Sequence, residues 1–117
     1  MALNVVIAQS NPQAAQNLAT SLRNLGPVSV AHSLEELQNV IPARRPKLVV
    51  LDLETVPMQM VRQICQDFEL PVVCTHRIPD DEMWTEAPDA GAIDCCKDDD
   101  AGGIMQAARR NVAFLAA

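Results

Sequence analysis

The sequence predicts an α/β protein with a doubly wound, five-stranded parallel sheet, and three features of the chain predict it. Apolar runs of strand length alternate five times with segments whose apolar residues recur at helical spacing. The strongest runs, in "LNVVIA" and "KLVVLDL", are apolar at consecutive positions, as strands covered on both faces require. Several helical segments open on residues that cap helices, namely Asn11-Pro12, Ser33 and the Asp98–Asp100 run. Alternation of this kind needs right-handed crossovers, which place helices on both sides of the sheet.

Residues 3–8 form the first strand, and Asn11-Pro12 supplies a cap and a first-turn proline. Ala15, Leu18, Leu22 and Leu25 then make an apolar stripe that stops at Gly26. Residues 27–32, "PVSVAH", are shorter and more polar, which predicts a strand near an edge. Ser33 and Glu36 form a capping box for a helix with the face Leu34, Leu37, Val40 and Ile41, expected to end before Pro42. The run 47–53 is the most strand-like in the chain and is expected to be central. Val61, Ile64, Cys65 and Phe68 mark a third helix, and "LPVVCTH" (70–76) a fourth strand. Residues 80–91 read as a short helix that Pro88 cuts or kinks near its end. "AIDCC" is a brief fifth strand, and Ile104, Ala108, Val112 and Leu115 line a last helix.

A chain of 117 residues that is 49% hydrophobic suits a single domain, residues 1–117, with one core. Nine basic against fifteen acidic residues give a net charge of −6, with no basic run longer than Arg44-Arg45 or Arg109-Arg110, so nucleic acid is not an expected partner. No apolar run approaches the roughly 20 residues that span a bilayer, and no signal-like N-terminus is present, so no membrane partner and a cytoplasmic location are expected. Cys65, Cys74, Cys95 and Cys96 lie in apolar segments and read as small buried hydrophobes without a disulfide. Cys95 and Cys96, adjacent in a strand, are expected to face opposite ways. Cys74, His76 and Cys96 match no zinc spacing.

Sites in such sheets form at the carboxyl ends of the strands, which here carry Ala8-Gln9-Ser10, Asp52-Leu53-Glu54, Thr75-His76 and the neighbourhood of Lys97. The order of elements, a carboxylate ending the third strand, a threonine ending the fourth after "PVVC", and "GAID" followed by "KDDDA" before the last helix resemble the receiver domains of bacterial response regulators. The resemblance covers essentially the whole chain and implies a flavodoxin-like (βα)5 receiver fold of the CheY-like family. It further implies that Asp52 is the phosphoacceptor for a histidine kinase and Thr75 the switch hydroxyl. Glu54 then stands where a backbone carbonyl would join the Mg²⁺ shell, and Lys97 is the candidate for the lysine that pairs with the phosphoryl group.

Three positions depart from the family pattern. The acidic pair that holds Mg²⁺ is replaced by Gln9 and Ser10, so Asp52 and Glu54 are left as a weak metal set. Without the cation the largest contribution to phosphoryl transfer is lost. Two alignments compete for the lysine: spacing from Gly91-Ala92 puts it at Asp98, and spacing from the helix start puts it at Lys97. A one-residue offset on a strand turns a side chain to the other face. The switch aromatic is absent, with Asp94 or Cys95 in its place.

The expected function is two-component signalling by a receiver-like, protein-binding module, a pseudo-receiver that is not an enzyme and whose aspartyl phosphorylation is lost or impaired. It needs no cofactor, and Mg²⁺ enters only if the phosphorylation site works. Its partners are proteins such as a histidine kinase or a downstream signalling protein. The alternatives are a conventional single-domain response regulator using Asp52 and a small flavodoxin-like ligand-binding or redox protein; the first loop lacks the phosphate cradle that a flavin requires. The face made by the fourth helix, fifth strand and fifth helix, carrying Met83, Trp84 and Met105, is the expected surface for docking or homodimerisation. Inward packing of Trp84 is the competing expectation.

Overall fold

In the computed structural model, which describes residues 4–111, five strands and five helices alternate strictly: β1 (Val5–Ala8), α1 (Pro12–Leu22), β2 (Val28–Ala31), α2 (Leu34–Arg44), β3 (Leu48–Asp52), α3 (Met58–Phe68), β4 (Val72–His76), α4 (Asp81–Ala90), β5 (Asp94–Lys97) and α5 (Ala101–Arg110). The strands pair in parallel in the order β2-β1-β3-β4-β5. Chain order therefore reverses between β1 and β3, and the crevice above their carboxyl ends is where ligand sites of open α/β sheets form. The expected positions of the central and edge strands hold, with β3 in the middle and β2 outermost.

Alternation along the strands divides the core. Val6, Ala8, Val49, Leu51, Val72, Cys74 and Cys95 point to the side covered by α2, α3 and α4. Val5, Ile7, Leu48, Val50, Val73 and Cys96 point to the side covered by α1 and α5. Cys95 and Cys96 thus face opposite ways, as period-two geometry demands. Burial of all four residues of β1 and all five of β3 accounts for their continuous apolar runs.

Local chemistry sets the helix starts. The Asn11 side chain accepts from the N–H groups of Gln13 and Ala14, Ser33 Oγ from Glu36 N–H, Asp80 Oδ1 from Met83 N–H, and Asp100 Oδ1 from Gly103 N–H. The capping box is offset by one residue, because the Glu36 carboxylate returns to His32 N–H instead of to Ser33. Helix ends differ more from expectation. α1 stops at Leu22, and Leu25 packs half-buried in the turn before Gly26, whose φ of 150° suits glycine. α2 runs past Pro42 to Arg44, correcting the expected stop, since buried Leu37 and Ile41 anchor the helix and a left-handed Arg45 (φ 48°) closes it. α4 likewise contains Pro88 and continues to Ala90, ended by Gly91 at φ 108°. β5 begins two residues later than "AIDCC", at Asp94. Leu3, Val112 and Leu115 lie outside the described residues.

Candidate functional site

Register brings the first two site residues together. β3 and β4 pair with Asp52 opposite Thr75, so the two side chains leave the sheet on the same face at its carboxyl edge. Thr75 Oγ1 donates to Asp52 Oδ1 at 3.0 Å, and Glu54 N–H donates to Asp52 Oδ2 at 3.2 Å. Asp52 is 2% exposed and Thr75 fully buried. Burial pushes the Asp52 carboxyl above the usual range, against the opposing pull of the Thr75 hydroxyl, the Glu54 N–H and the Gln9 amide, while the Glu54 charge adds to the rise.

Above Asp52 opens a cavity of about 310 Å³ bordered by Gln9, Ser10, Asn11, Asp52, Glu54, Arg77 and Asp98. Gln9, buried at the end of β1, accepts Asn11 N–H on its Oε1 at 3.0 Å. Ser10 is tied to the loop after β3: its N–H donates to Thr55 Oγ1, which donates in turn to Ser10 Oγ, both at 3.0 Å. The positions that would carry an acidic pair therefore hold neutral groups engaged in hydrogen bonds within the chain.

Glu54 is turned toward a cation of the chain itself. Arg77 Nε donates to Glu54 Oε1 at 2.6 Å, and His76 Nε2 lies 3.8 Å from the same oxygen. The Arg77 hydrogen bond, with its charge and that of His76, holds the Glu54 carboxyl below its usual range, against a smaller effect of desolvation. Asp52, Glu54 and Asp98 all border the cavity, yet no group of three or more His, Cys, Asp or Glu side chains among the described residues is arranged to hold a metal ion. A hard, strongly hydrated Mg²⁺ needs several free carboxylates around one point. Here Asp52 is buried and bonded and Glu54 is paired to a guanidinium, which leaves Asp98 alone of the three without an ion pair among the described residues, so the donor set does not fit that ion.

Lys97 lies outside the cavity. β5 pairs Cys96 with Thr75 and Lys97 with His76, so Lys97 leaves the sheet on the face opposite to Thr75. Its ammonium is exposed and sits 3.9 Å from Asp99. Asp98, the other alignment of that position, borders the cavity. The cation at the cavity mouth is instead Arg77, which sequence reasoning missed together with the Ser10–Thr55 pair. The available signal was a charged residue placed immediately after the Thr75-His76 strand end.

On the α4 side, Trp84 is 51% exposed, its indole N–H donating to Cys95 O at 3.1 Å. One edge of the ring rests on β5 while the rest faces outward, so neither full burial nor full exposure describes it. Met83 and Met105 are half-buried against the two core layers. Burial pushes the Cys95 and Cys96 thiols up to about 11 and about 12, and raises Cys65 and Cys74 as well. Such thiols carry little thiolate at neutral pH.

No family model and no curated protein matches the sequence. The structure, however, is similar to solved response-regulator receiver domains. The signal receiver domain of a DNA-binding response regulator from Colwellia psychrerythraea 34H superposes with a TM-score of 0.83 at 17% identity, covering 95% of this chain and 98% of that one. A Francisella response-regulator receiver domain gives 0.82 at 18% identity, with 96% and 98% covered. The isolated receiver domain of RcsB from Salmonella enterica serovar Typhimurium, solved with the phosphomimetic BeF3−, gives 0.79 at 15% identity, with 98% and 99% covered. The chain therefore has the receiver fold found in two-component response regulators, a five-stranded α/β sheet of flavodoxin-like topology. Among the described residues no helix is long and apolar enough to cross a membrane.

Proposed function

We propose that this chain is a pseudo-receiver: a receiver-fold signalling module that acts by docking to proteins, with aspartyl phosphorylation lost or strongly impaired. The observation that carries the reading is the state of the acceptor site. Both oxygens of the Asp52 carboxylate accept donors of the chain itself, and Gln9, Ser10 and the Arg77-paired Glu54 stand where a cation would need free negative charge. Phosphoryl transfer depends on neutralising the equatorial oxygens and on positioning, and this site is poor in the means for the first. Arg77 supplies positive charge at the mouth but spends it on Glu54.

Docking is assigned to the α4–β5–α5 face, where Trp84 offers a half-exposed indole whose N–H is already bonded, so its burial would leave no donor unsatisfied. The partners are proteins of a two-component pathway, a histidine kinase or a downstream component, and no cofactor or catalytic role is assigned. Incubation with acetyl phosphate and Mg²⁺, followed by intact-mass analysis, tests the reading. An unmodified chain is expected. A substantial phosphoryl adduct that disappears in Asp52→Asn would make this a conventional phosphoacceptor.

A further inference from the structure

Two surfaces at opposite ends of the sheet are each incomplete, and they complement one another. At the amino edge, below β3, a cleft of about 350 Å³ runs between the end of α2 and the end of α3. Ile41, Pro42, Phe68 and Leu70 supply its apolar lining, and exposed Arg45 and Lys47 border it. With Arg44, these are three of the nine basic residues, gathered within four positions of a chain whose net charge is −6. None of the three forms an ion pair among the described residues. Arg45 also occupies a left-handed backbone conformation that glycine would adopt more easily.

At the carboxyl edge, the segment from β4 into α4 has the opposite character. Ile78 is 76% exposed, the most exposed large apolar residue described, and Asp80, Asp81 and Glu82 follow it, all exposed. Glu86 lies one helical turn from Glu82, whose hydrogen bond and charge help push the Glu86 carboxyl up, so the acidic end of α4 carries repulsion that the Arg62 charge offsets only in part. Asp81, Glu82 and Glu86 form no ion pair among the described residues.

We propose that the chain associates head to tail with a second copy, the acidic segment Ile78–Glu82 of one molecule docking in the basic apolar cleft of the next. Ile78 would cover the Phe68 and Leu70 lining, while Asp81 and Glu82 meet Arg45 and Lys47. Both halves of the contact are present on the same chain, with matching charge and one uncovered apolar element each. Three cations in a net acidic chain make a weak driving force for nucleic acid or an anionic bilayer. The ends differ in kind, so the contact is heterologous and builds chains or rings instead of a closed twofold dimer. It does not involve Asp52, and it uses the loop before α4 and that helix's first turn, not Trp84.

Sedimentation of the full chain with two charge-reversed variants, Arg45→Glu/Lys47→Glu and Asp81→Lys/Glu82→Lys, tests the proposal. The unmodified protein is expected to sediment faster as its concentration rises, and each variant alone to remain monomeric. In an equimolar mixture of the two, the native acidic segment of the first variant meets the native basic cleft of the second and the two reversed ends are also opposite in charge, so the mixture is expected to associate; a mixture that stays monomeric counts against the proposal. Combining all four substitutions in one chain restores opposite charges and restores association. Circular dichroism checks folding; if a charge variant unfolds, Ile78→Ser, a change in an exposed loop, decides instead by losing or keeping association. A monomeric unmodified protein at every concentration, association that persists in either charge variant or in Ile78→Ser, or a quadruple variant that stays monomeric overturns the proposal. So does a monomer that binds phosphatidylserine vesicles through Arg45 and Lys47.

Discussion

Replacing Thr75 by valine removes a hydroxyl at nearly constant volume from a fully buried position, and the one side-chain hydrogen bond it breaks among the described residues is the 3.0 Å donation to Asp52 Oδ1. A hydrogen bond to a charged acceptor contributes about 1.5–3 kcal/mol, whereas one between neutral groups contributes about 0.5–1.5 kcal/mol. Thr75→Val is therefore expected to cost about 2 kcal/mol at neutral pH, and about 1 kcal/mol in an Asp52→Asn background, where the amide oxygen still accepts. The coupling of about 1 kcal/mol between the two sites is the quantity of interest, and urea unfolding of all four members of the cycle measures it. Its pH dependence has a definite sign. Burial raises the Asp52 pKa above its ordinary 3.8, so the folded chain holds that proton more tightly than the unfolded chain. The stability this contributes is present below 3.8 and is lost as pH rises through the raised folded pKa. The Thr75 hydroxyl opposes the loss by favouring the carboxylate, so the cost of Thr75→Val should grow as pH rises across that window and stay flat when Asp52 is asparagine. A cost that is equal at both ends of the window and in both backgrounds would refute the account of the site as a buried, internally bonded carboxylate.

Two further outcomes follow from the same geometry. Trp84 is the only tryptophan, so its emission should be readily quenched by acrylamide, and Trp84→Glu should leave thermal unfolding within a few degrees of the unmodified chain; emission shielded from quencher together with unfolding of the variant would place the indole in the core. Gln9→Asp/Ser10→Asp puts two carboxylates beside Asp52 and breaks the Ser10–Thr55 bonds, so the variant should be less stable than the unmodified chain without Mg²⁺ and gain melting temperature when Mg²⁺ is added; an equal gain in the unmodified chain would show that the existing donors already hold the ion.

The fold was legible because its signals are local and repeated. Continuous apolar runs in β1 and β3, the Asn11 and Ser33 caps and the Asp98–Asp100 entry to α5 each state one element, and together they leave little choice of topology. Helix ends were less legible where tertiary anchoring by Leu37 and Ile41 overrode the local effect of Pro42. The site was legible as far as strand position reaches: Asp52, Thr75 and Gln9 converge because they end neighbouring parallel strands. Arg77 was not, because its approach to Glu54 depends on two loops folding toward each other across the sheet edge, a separation of 23 residues with no periodicity to mark it. The Lys97 ambiguity had a one-residue cause, and strand register resolves its direction by pairing Cys96, not Lys97, with Thr75.

Electrostatics at the carboxyl edge explains how an acceptor-like aspartate persists without its usual neighbours. Carboxylates clustered at one point repel, and a bound cation ordinarily relieves that repulsion. Here the relief is built from the chain, by a different means for each group. The Asp52 carboxylate is stabilised by two short-range donors, and its raised pKa shows that burial still outweighs them. Glu54 is matched by Arg77, and the cavity wall beside Asp52 is completed by the neutral Gln9 and Ser10. Ser10 and Thr55 then join the first and third loops with hydroxyl hydrogen bonds, a connection that a shared metal ion would otherwise make. Each arrangement removes both a reason for a dication to bind and a penalty for its absence. A site arranged this way leaves little free charge for a cation to neutralise, and that is the ground on which a docking role without phosphorylation is proposed.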